Sequence, residues 1–341
     1  MSSAFAGRAQ ALLARHWWRA RPSWPSRLLA PLAALYALLS FAHRHLAVAR
    51  AAPVPVVVVG NLVAGGAGKT PTAIALVAAL QAAGWRPGVV SRGHGRRGSA
   101  AAEVGPDSDP RAVGDEPLLI RRRSGVPVWV GRDRVGAAQA LCRAHAEVDL
   151  LVADDGLQHA ALARTVEIVV FDERGVGNGL LLPAGPLREA LPARWPETRL
   201  VLYNAARPST PVPGAVAARA AGAVLALADW KAGRHEKAVR IETLRGRPLL
   251  AAAGIGEPER FFAMLEGAGL DIERLPLPDH ARFDTLPWPA GTTEVLVTEK
   301  DAVKIDPGRV GTTAVWVVGL DFRLPPDFVR AVLERLASHR R

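Results

Sequence analysis

Along this chain, short β-branched or apolar runs alternate with longer stretches whose apolar residues recur every three or four positions. The clearest run is Val56–Val59, four valines in a row, suited to a strand buried on both faces. Gly60 ends it, and Ile74, Leu76, Val77 and Leu80 then form a stripe that predicts a helix, with Gly84 as its stop. Further strands are predicted at 86–92, 126–130, 149–153, 166–171 and 200–203, and helices at 114–123 and 132–146. Beyond a Pro-, Ala- and Gly-rich stretch at 207–221, a second set follows, with strands at 223–227, 248–253, 294–298 and 313–318 and helices at 258–266 and 327–338. This alternation implies an α/β fold with parallel sheets. The expected organisation is an N-terminal apolar helix region over 1–50, a P-loop NTPase-like parallel-sheet domain over 51–215, and a smaller α/β domain over 216–341. No internal repeat is visible.

Between the valine strand and the first helix lies a glycine-rich loop, Gly65, Gly66, Ala67 and Gly68, followed by Lys69, Thr70 and Pro71. Strand, glycine loop, Lys-Thr and helix is the order that cradles nucleotide phosphates. Glycines let backbone N–H groups turn toward the anion, and the helix N-terminus adds its partial charge. The lysine reaches the terminal phosphates, and the threonine hydroxyl serves a Mg²⁺ ion. Pro71 falls in the first helical turn, where its missing N–H costs little. The strict pattern asks for glycine six residues before the lysine, and Val63 stands there.

Charge separates the chain into two parts. Residues 1–102 carry 12 basic side chains and no acidic one, whereas the remainder holds 31 basic against 32 acidic, so the net +11 is an N-terminal property. Such asymmetry points to a polyanionic surface. Leu28–Ala42 is an uncharged apolar run, preceded by Trp17, Trp18 and Trp24 among arginines and closed by His43, Arg44 and His45. It is short for a spanning helix, which needs roughly 20 apolar residues. Trp and Arg beside an apolar helix favour an interfacial anchor on an anionic membrane over a helix packed on the domain. Nucleic acid ranks last, because the apolar run would then have no role. The single cysteine, Cys142, excludes an internal disulfide framework and reads as a packed small hydrophobe.

Two acidic pairs and one histidine complete the candidate chemistry. Asp154-Asp155 end a predicted buried strand, where a P-loop fold places the carboxylate that holds Mg²⁺; the alternative is a solvated turn. Asp115-Glu116, in GDEP, are either a helix N-terminus favoured by its dipole or a proton acceptor for a hydroxyl nucleophile. His280 in PDHARFD is open to the same two readings. In LPAGPLRE, Arg188 is either a phosphate clamp or half of a surface ion pair.

The segments GNLVAGGAGKTP, SRGHGRR, GDEP, DDGLQH, LPAGPLRE, PDH and TEKDAVK occur in that order. Together they resemble the tetraacyldisaccharide 4'-kinase family of lipid A biosynthesis, over nearly the whole chain from about Ala30 onward. Val63 departs from the small hydroxyl residue usual there, and His94 and Leu157 stand where tyrosine and phenylalanine are usual.

The resemblance implies a lipid kinase using ATP and Mg²⁺, built from two α/β/α domains. It transfers phosphate to the 4'-hydroxyl of an acylated disaccharide 1-phosphate at the cytoplasmic face of the bacterial inner membrane, without nucleic acid or an obligate protein partner. It further implies that Lys69 and Thr70 bind the phosphates and Mg²⁺, and that Asp115 assists deprotonation of the sugar hydroxyl in a dyad with His280 from the second domain. Glu116, Asp154 and Asp155 would organise the metal, and Arg92, Gln158, His159 and Arg188 would shape the substrate cleft. The rival reading is a membrane-associated P-loop ATPase or nucleotide switch acting on a protein partner. The residues leave open the roles of Lys300 and Lys304, and whether the apolar run lies on or spans a bilayer.

Overall fold

The computed structural model describes residues 15–339. Its strands are β1 (Val56–Gly60), β2 (Pro87–Ser91), β3 (Ala102–Glu103), β4 (Val128–Val130), β5 (Leu150–Asp154), β6 (Val166–Asp172), β7 (Arg199–Asn204), β8 (Ala215–Val216), β9 (Ala218–Ala226), β10 (Leu249–Ala253), β11 (Ile272–Pro276), β12 (Glu294–Thr298) and β13 (Ala314–Arg323). Its α-helices are α1 (Trp24–Leu28), α2 (Ala30–Leu46), α3 (Lys69–Ala82), α4 (Pro110–Val113), α5 (Asp115–Ser124), α6 (Arg134–Ala144), α7 (Leu227–Lys231), α8 (Pro258–Gly267), α9 (Glu299–Ala302) and α10 (Pro326–Leu336).

The chain divides into two compact units that interleave in sequence. Among the described residues, the first comprises 15–90, 134–217 and 324–339; the second comprises 91–133 and 218–323. One boundary, at 217/218, lies beside the expected cut at 215/216. Residues 91–133, expected with the glycine loop, group instead with the second unit, and residues 324–339 group with the first. Local periodicity marks most of the longer elements but not which sheet each covers, and it gives no sign of β3, β8, β11 or α4. The apolar face of α10, with Phe328, Val332 and Leu336 buried, meets α3 and β6 of the first unit.

In the first unit, β2, β5, β1, β6, β7 and β8 lie side by side in that order, all parallel. The valines of β1 are central in this sheet, flanked by β5 and β6, and are 0–2% exposed. Burial on both faces explains their unbroken apolar run. The register sets Val59 opposite Asp154, so β5 ends its carboxylate beside the exit of β1. In the second unit, the order is β11-β10-β12-β13-β9, parallel except for the antiparallel β13–β9 pair. Phe261, Phe262 and Leu265 of α8 pack on Leu249, Ala251 and Leu296 beneath that sheet. A short antiparallel pair, β3–β4, belongs to the same unit.

The apolar N-terminal run becomes α1 and α2. Ala33 is buried while Tyr36 Oη donates to the Arg188 carbonyl (3.0 Å), and Arg44 pairs with Glu189. The opposite face exposes Leu28, Leu32, Leu35, Leu39 and Leu46, an i, i+3/i+4 stripe. Among the described residues no helix is long and apolar enough to cross a membrane. Only Trp24 of the three flanking tryptophans is exposed: Trp17 is buried with Nε1 donating to the Pro183 carbonyl (2.9 Å), and Trp18 lies under the Arg174 guanidinium at 4.2 Å.

Candidate active site

The candidate residues fall into two polar clusters, one in each unit. In the first, β1 delivers the chain into the glycine loop, and α3 begins at Lys69. Gly68 caps it in the left-handed region (φ +90°) with no side-chain cap. A Cβ there would come within 2.1 Å of Asn204 Nδ2, which donates to the Ala67 carbonyl at 3.1 Å. The loop therefore needs glycine at 68 for both its torsion and its clearance. Lys69 Nζ lies over the loop, 3.3 Å from the Gly65 carbonyl, 3.4 Å from Asn61 Oδ1 and 3.8 Å from Asp155 Oδ1. Thr70 is buried in the first turn of α3, and Pro71 follows it.

Around this loop, Asp155 sits at φ +49° and shares its Oδ1 with Arg188 Nη1 at 3.5 Å. Arg188 also donates to Gln158 Oε1 (3.3 Å), and Gln158 Nε2 donates to the Asn61 carbonyl (3.0 Å). Lys69, Asp155, Gln158 and Arg188 are thus brought together around Asn61. His159 lies in the same turn and accepts Arg164 Nη2 at its carbonyl (2.6 Å). Arg174 joins the loop from the end of β6: Nη2 donates to the Gly66 carbonyl (2.8 Å) and pairs with Asp172 Oδ2 (2.6 Å). Sequence reasoning missed Asn61, Arg174 and Asn204. The signal for Arg174 was the one used for Asp154, a polar residue at the end of a buried strand, since Asp172 closes β6 and Asn204 closes β7.

The second cluster is built on α5, whose first turn carries Asp115 and Glu116, and on the loop after β11, which carries His280. Asp115 is buried, and its Oδ2 lies 2.9 Å from His280 Nδ1. Burial alone would raise its carboxyl. The hydrogen bond from His280 and the charges of Lys300, His280 and Lys304 outweigh that and hold it at about 2. The same hydrogen bond raises His280, against burial and the nearby Lys300. The Glu116 carboxylate accepts from Lys300 Nζ at 3.0 Å, and the His94 ring is 5.5 Å from that of His280. Asp115 and His280, expected from different domains, therefore share the second unit. Arg92 is an exposed residue of this unit, just after β2.

The residues expected to hold Mg²⁺ split accordingly: Thr70, Asp154 and Asp155 in the first unit, Glu116 in the second. Among the described residues no three His, Cys, Asp or Glu side chains group as a metal site. Mg²⁺ does not require such a group, because it keeps several waters and binds through one or two carboxylates plus substrate phosphates. The oxygen-only set of Thr70, Asp154 and Asp155 at the loop suits that habit.

The chain matches the family described as LpxK, tetraacyldisaccharide-1-P 4'-kinase, over residues 25–337. It is 55% identical over 339 residues to the tetraacyldisaccharide 4'-kinase of Methylibium petroleiphilum, covering 96% of this chain and 94% of that one. It is 57% identical over 291 residues to the enzyme of the same name from Leptothrix cholodnii, covering 84% of each. Its fold is similar to that of "apo" form LpxK from Aquifex aeolicus, solved in complex with ATP, with a TM-score of 0.74, 23% identity, and coverage of 91% of this chain and 99% of that one.

Proposed function

The chain belongs to the tetraacyldisaccharide-1-P 4'-kinase family, and from that premise we propose that it transfers the γ-phosphoryl group of ATP to the 4'-hydroxyl of an acylated disaccharide 1-phosphate. Each reactant would have its own cluster. Backbone N–H groups of Gly65–Gly68 and the start of α3 would bind the nucleotide phosphates, with Lys69 turning from the loop carbonyls to the anion. Thr70, Asp154 and Asp155 would hold Mg²⁺, which when bound neutralises charge on the phosphate oxygens. Glu116 is the least suited of the proposed metal donors, because its Oε1 is already held by Lys300. Gln158, His159, Arg188 and Arg92 would contact phosphate or sugar groups.

The observation that carries the acceptor side is the 2.9 Å contact between Asp115 and His280. A carboxylate held near 2 is a weak base, which suits a loose phosphoryl transfer in which the hydroxyl proton leaves late. Asp115 would accept that proton as the oxygen bonds to phosphorus and the ADP oxygen departs. His280 would steady the carboxylate by donating from Nδ1 to Oδ2. No residue becomes phosphorylated.

The acceptor is a lipid, and we propose that the exposed leucine stripe of α2 lies on the cytoplasmic face of the inner membrane. Its C-terminal end exposes His43 and His45 toward solvent, while Arg44 is engaged by Glu189 on the packed side. The test incubates labelled ATP with a detergent-dispersed tetraacyl disaccharide 1-phosphate. Label in a doubly phosphorylated lipid is the expected result. Release of free phosphate alone would instead indicate a nucleotide switch.

A further inference from the structure

The segment Thr298–Lys304 (TEKDAVK) has no assigned role in the transfer, yet two of its side chains, Lys300 and Lys304, reach the dyad. Thr298 caps α9: its Oγ1 accepts from the Asp301 N–H and donates to Asp301 Oδ2 (2.7 Å). Asp301 is fully buried and also accepts from the Gly254 N–H (2.9 Å) and Lys304 Nζ (2.9 Å). The Gly254 carbonyl in turn accepts from the backbone N–H of His280 (3.2 Å), whose φ is +58°. A Cβ at Gly254 would come within 2.9 Å of Asp301 Oδ1 and of Ala281 Cβ. Asp301 thus helps to hold the backbone that presents His280.

Lys300 and Lys304, four residues apart, leave the same side of this turn. Lys304 Nζ stands 4.0 Å from Asp115 Oδ2, at one end of the dyad. Lys300 Nζ stands 3.5 Å from His280 Nε2, at the other. Two carboxylates fix that second ammonium, Glu116 Oε1 at 3.0 Å and Asp279 Oδ1 at 3.4 Å.

We propose that Lys300 is a positioning residue for the phosphoryl transfer, acting through His280: by engaging Nε2 it keeps the ring proton on Nδ1, aimed at Asp115. The inference rests on the assignment of Asp115 and His280 to the acceptor side of the kinase. An ammonium has donors and no acceptor, so its approach to Nε2 requires the nitrogen lone pair there. The ring hydrogen is then on Nδ1, the atom 2.9 Å from Asp115 Oδ2. Asp279 Oδ2, 3.8 Å from Nε2, would favour the opposite tautomer. Lys300 stands closer to that nitrogen and holds the other Asp279 oxygen. Without Lys300 the imidazole can turn over or carry its proton on Nε2, and Asp115 Oδ2 then loses its imidazole donor, leaving the Glu116 N–H on Oδ1.

The test combines steady-state kinetics of full-length wild type and Lys300→Met with NMR of the ¹⁵N-labelled histidine rings. In Lys300→Met, kcat is expected to fall by about 10- to 100-fold through misplacement of the dyad, with the KM for ATP changed by less than about twofold. Because His280 is raised above the ordinary histidine value, the spectrum is read at the alkaline end of its own titration, where the ring is neutral; there the wild-type ring should show a proton on Nδ1 and none on Nε2, and Lys300→Met should lose that pattern. An unchanged kcat in Lys300→Met would overturn the proposal, as would a lowered kcat with an unaltered His280 spectrum. If Lys300→Met does not fold, Lys300→Gln, which keeps a donor for Glu116, takes its place, and a wild-type proton on Nε2 is by itself decisive against the idea. A wild type that labels no lipid would sink the kinase reading instead, and the ring spectrum would still report on the lysine contact.

Discussion

The two polar clusters differ in what balances their charges. In the first unit, Lys69 is within hydrogen-bond distance of neutral acceptors, the Gly65 carbonyl and Asn61 Oδ1, and its nearest carboxylate oxygen in an ion pair is 3.8 Å away. Arg188 is similarly loose, at 3.5 Å from Asp155. In the second unit, the charges neutralise one another at close range: Asp115 with His280 at 2.9 Å, Glu116 with Lys300 at 3.0 Å, and Asp301 with Lys304 at 2.9 Å. In the first arrangement Lys69 and Arg188 are able to turn to an incoming polyanion, whereas Arg174 is held by Asp172 at 2.6 Å. The second is assembled in advance and has its charge already matched, as suits a group that handles one proton rather than several phosphates. Preorganisation of this kind avoids reorganisation during the chemical step.

The largest effects are expected at Asp115 and Lys69, the centres of the two clusters. Asp115→Asn is expected to lower kcat by about 10²–10⁴-fold with the KM for ATP little changed, because a positioned proton acceptor acts mainly in the transition state. Lys69→Ala should cost a similar factor but also weaken nucleotide binding, measurable by calorimetry with an ATP analogue. Equal nucleotide affinity in the two variants would erase the proposed division of labour. Gly68→Ala comes next. A Cβ 2.1 Å from Asn204 Nδ2 at φ +90° forces the loop to move, so ATP affinity should fall by about tenfold or more, in line with strain of 1–3 kcal/mol.

Smaller effects sharpen the contrast. The Asp115 carboxyl is lower in the folded protein, at about 2, than its ordinary 3.8. Its stabilising contribution is therefore complete above the ordinary value and is lost as pH falls through about 2. Urea titrations of wild type and Asp115→Asn should differ by on the order of 2 kcal/mol near pH 5, and that gap should close near pH 2. His280 carries the opposite sign: raised by Asp115, its contribution is complete below the ordinary histidine value and disappears as pH rises through the folded one. The smallest effect on chemistry is expected at α2. Leu35→Glu with Leu39→Glu should abolish sedimentation with anionic vesicles yet leave turnover on detergent-dispersed substrate within about twofold. Vesicle binding that survives both changes would remove the leucine stripe from the membrane reading.

Much of the first cluster was legible because it is local. The loop from Gly65 to Thr70 is continuous in sequence, and Asp154-Asp155 end a strand whose apolar run marks it as buried and whose register with β1 follows from the parallel sheet. Asp172 and Asn204 close buried strands as Asp154 does, but the meeting of Asn204 and of Arg174 with the loop was not legible, because each reaches it through a contact to a backbone carbonyl, and any loop residue offers such a carbonyl. In the second cluster the residue types were visible but their meeting was not. Asp115 and His280 are 165 positions apart, and on pattern alone each reads as readily as a helix start or a loop histidine.

The strand–loop–helix proposed for phosphate binding, the α/β alternation and the family could all be read from the chain alone, because they depend on short-range spacing and on ordered motifs. Only the tertiary structure decided that residues 91–133 join the second unit, that Asp115 faces His280, and that Lys300 and Lys304 stand at the two ends of that pair. Periodicity records which side of an element is buried. It does not record which distant element does the burying, and hydrogen bonds between distant loops are settled by that choice.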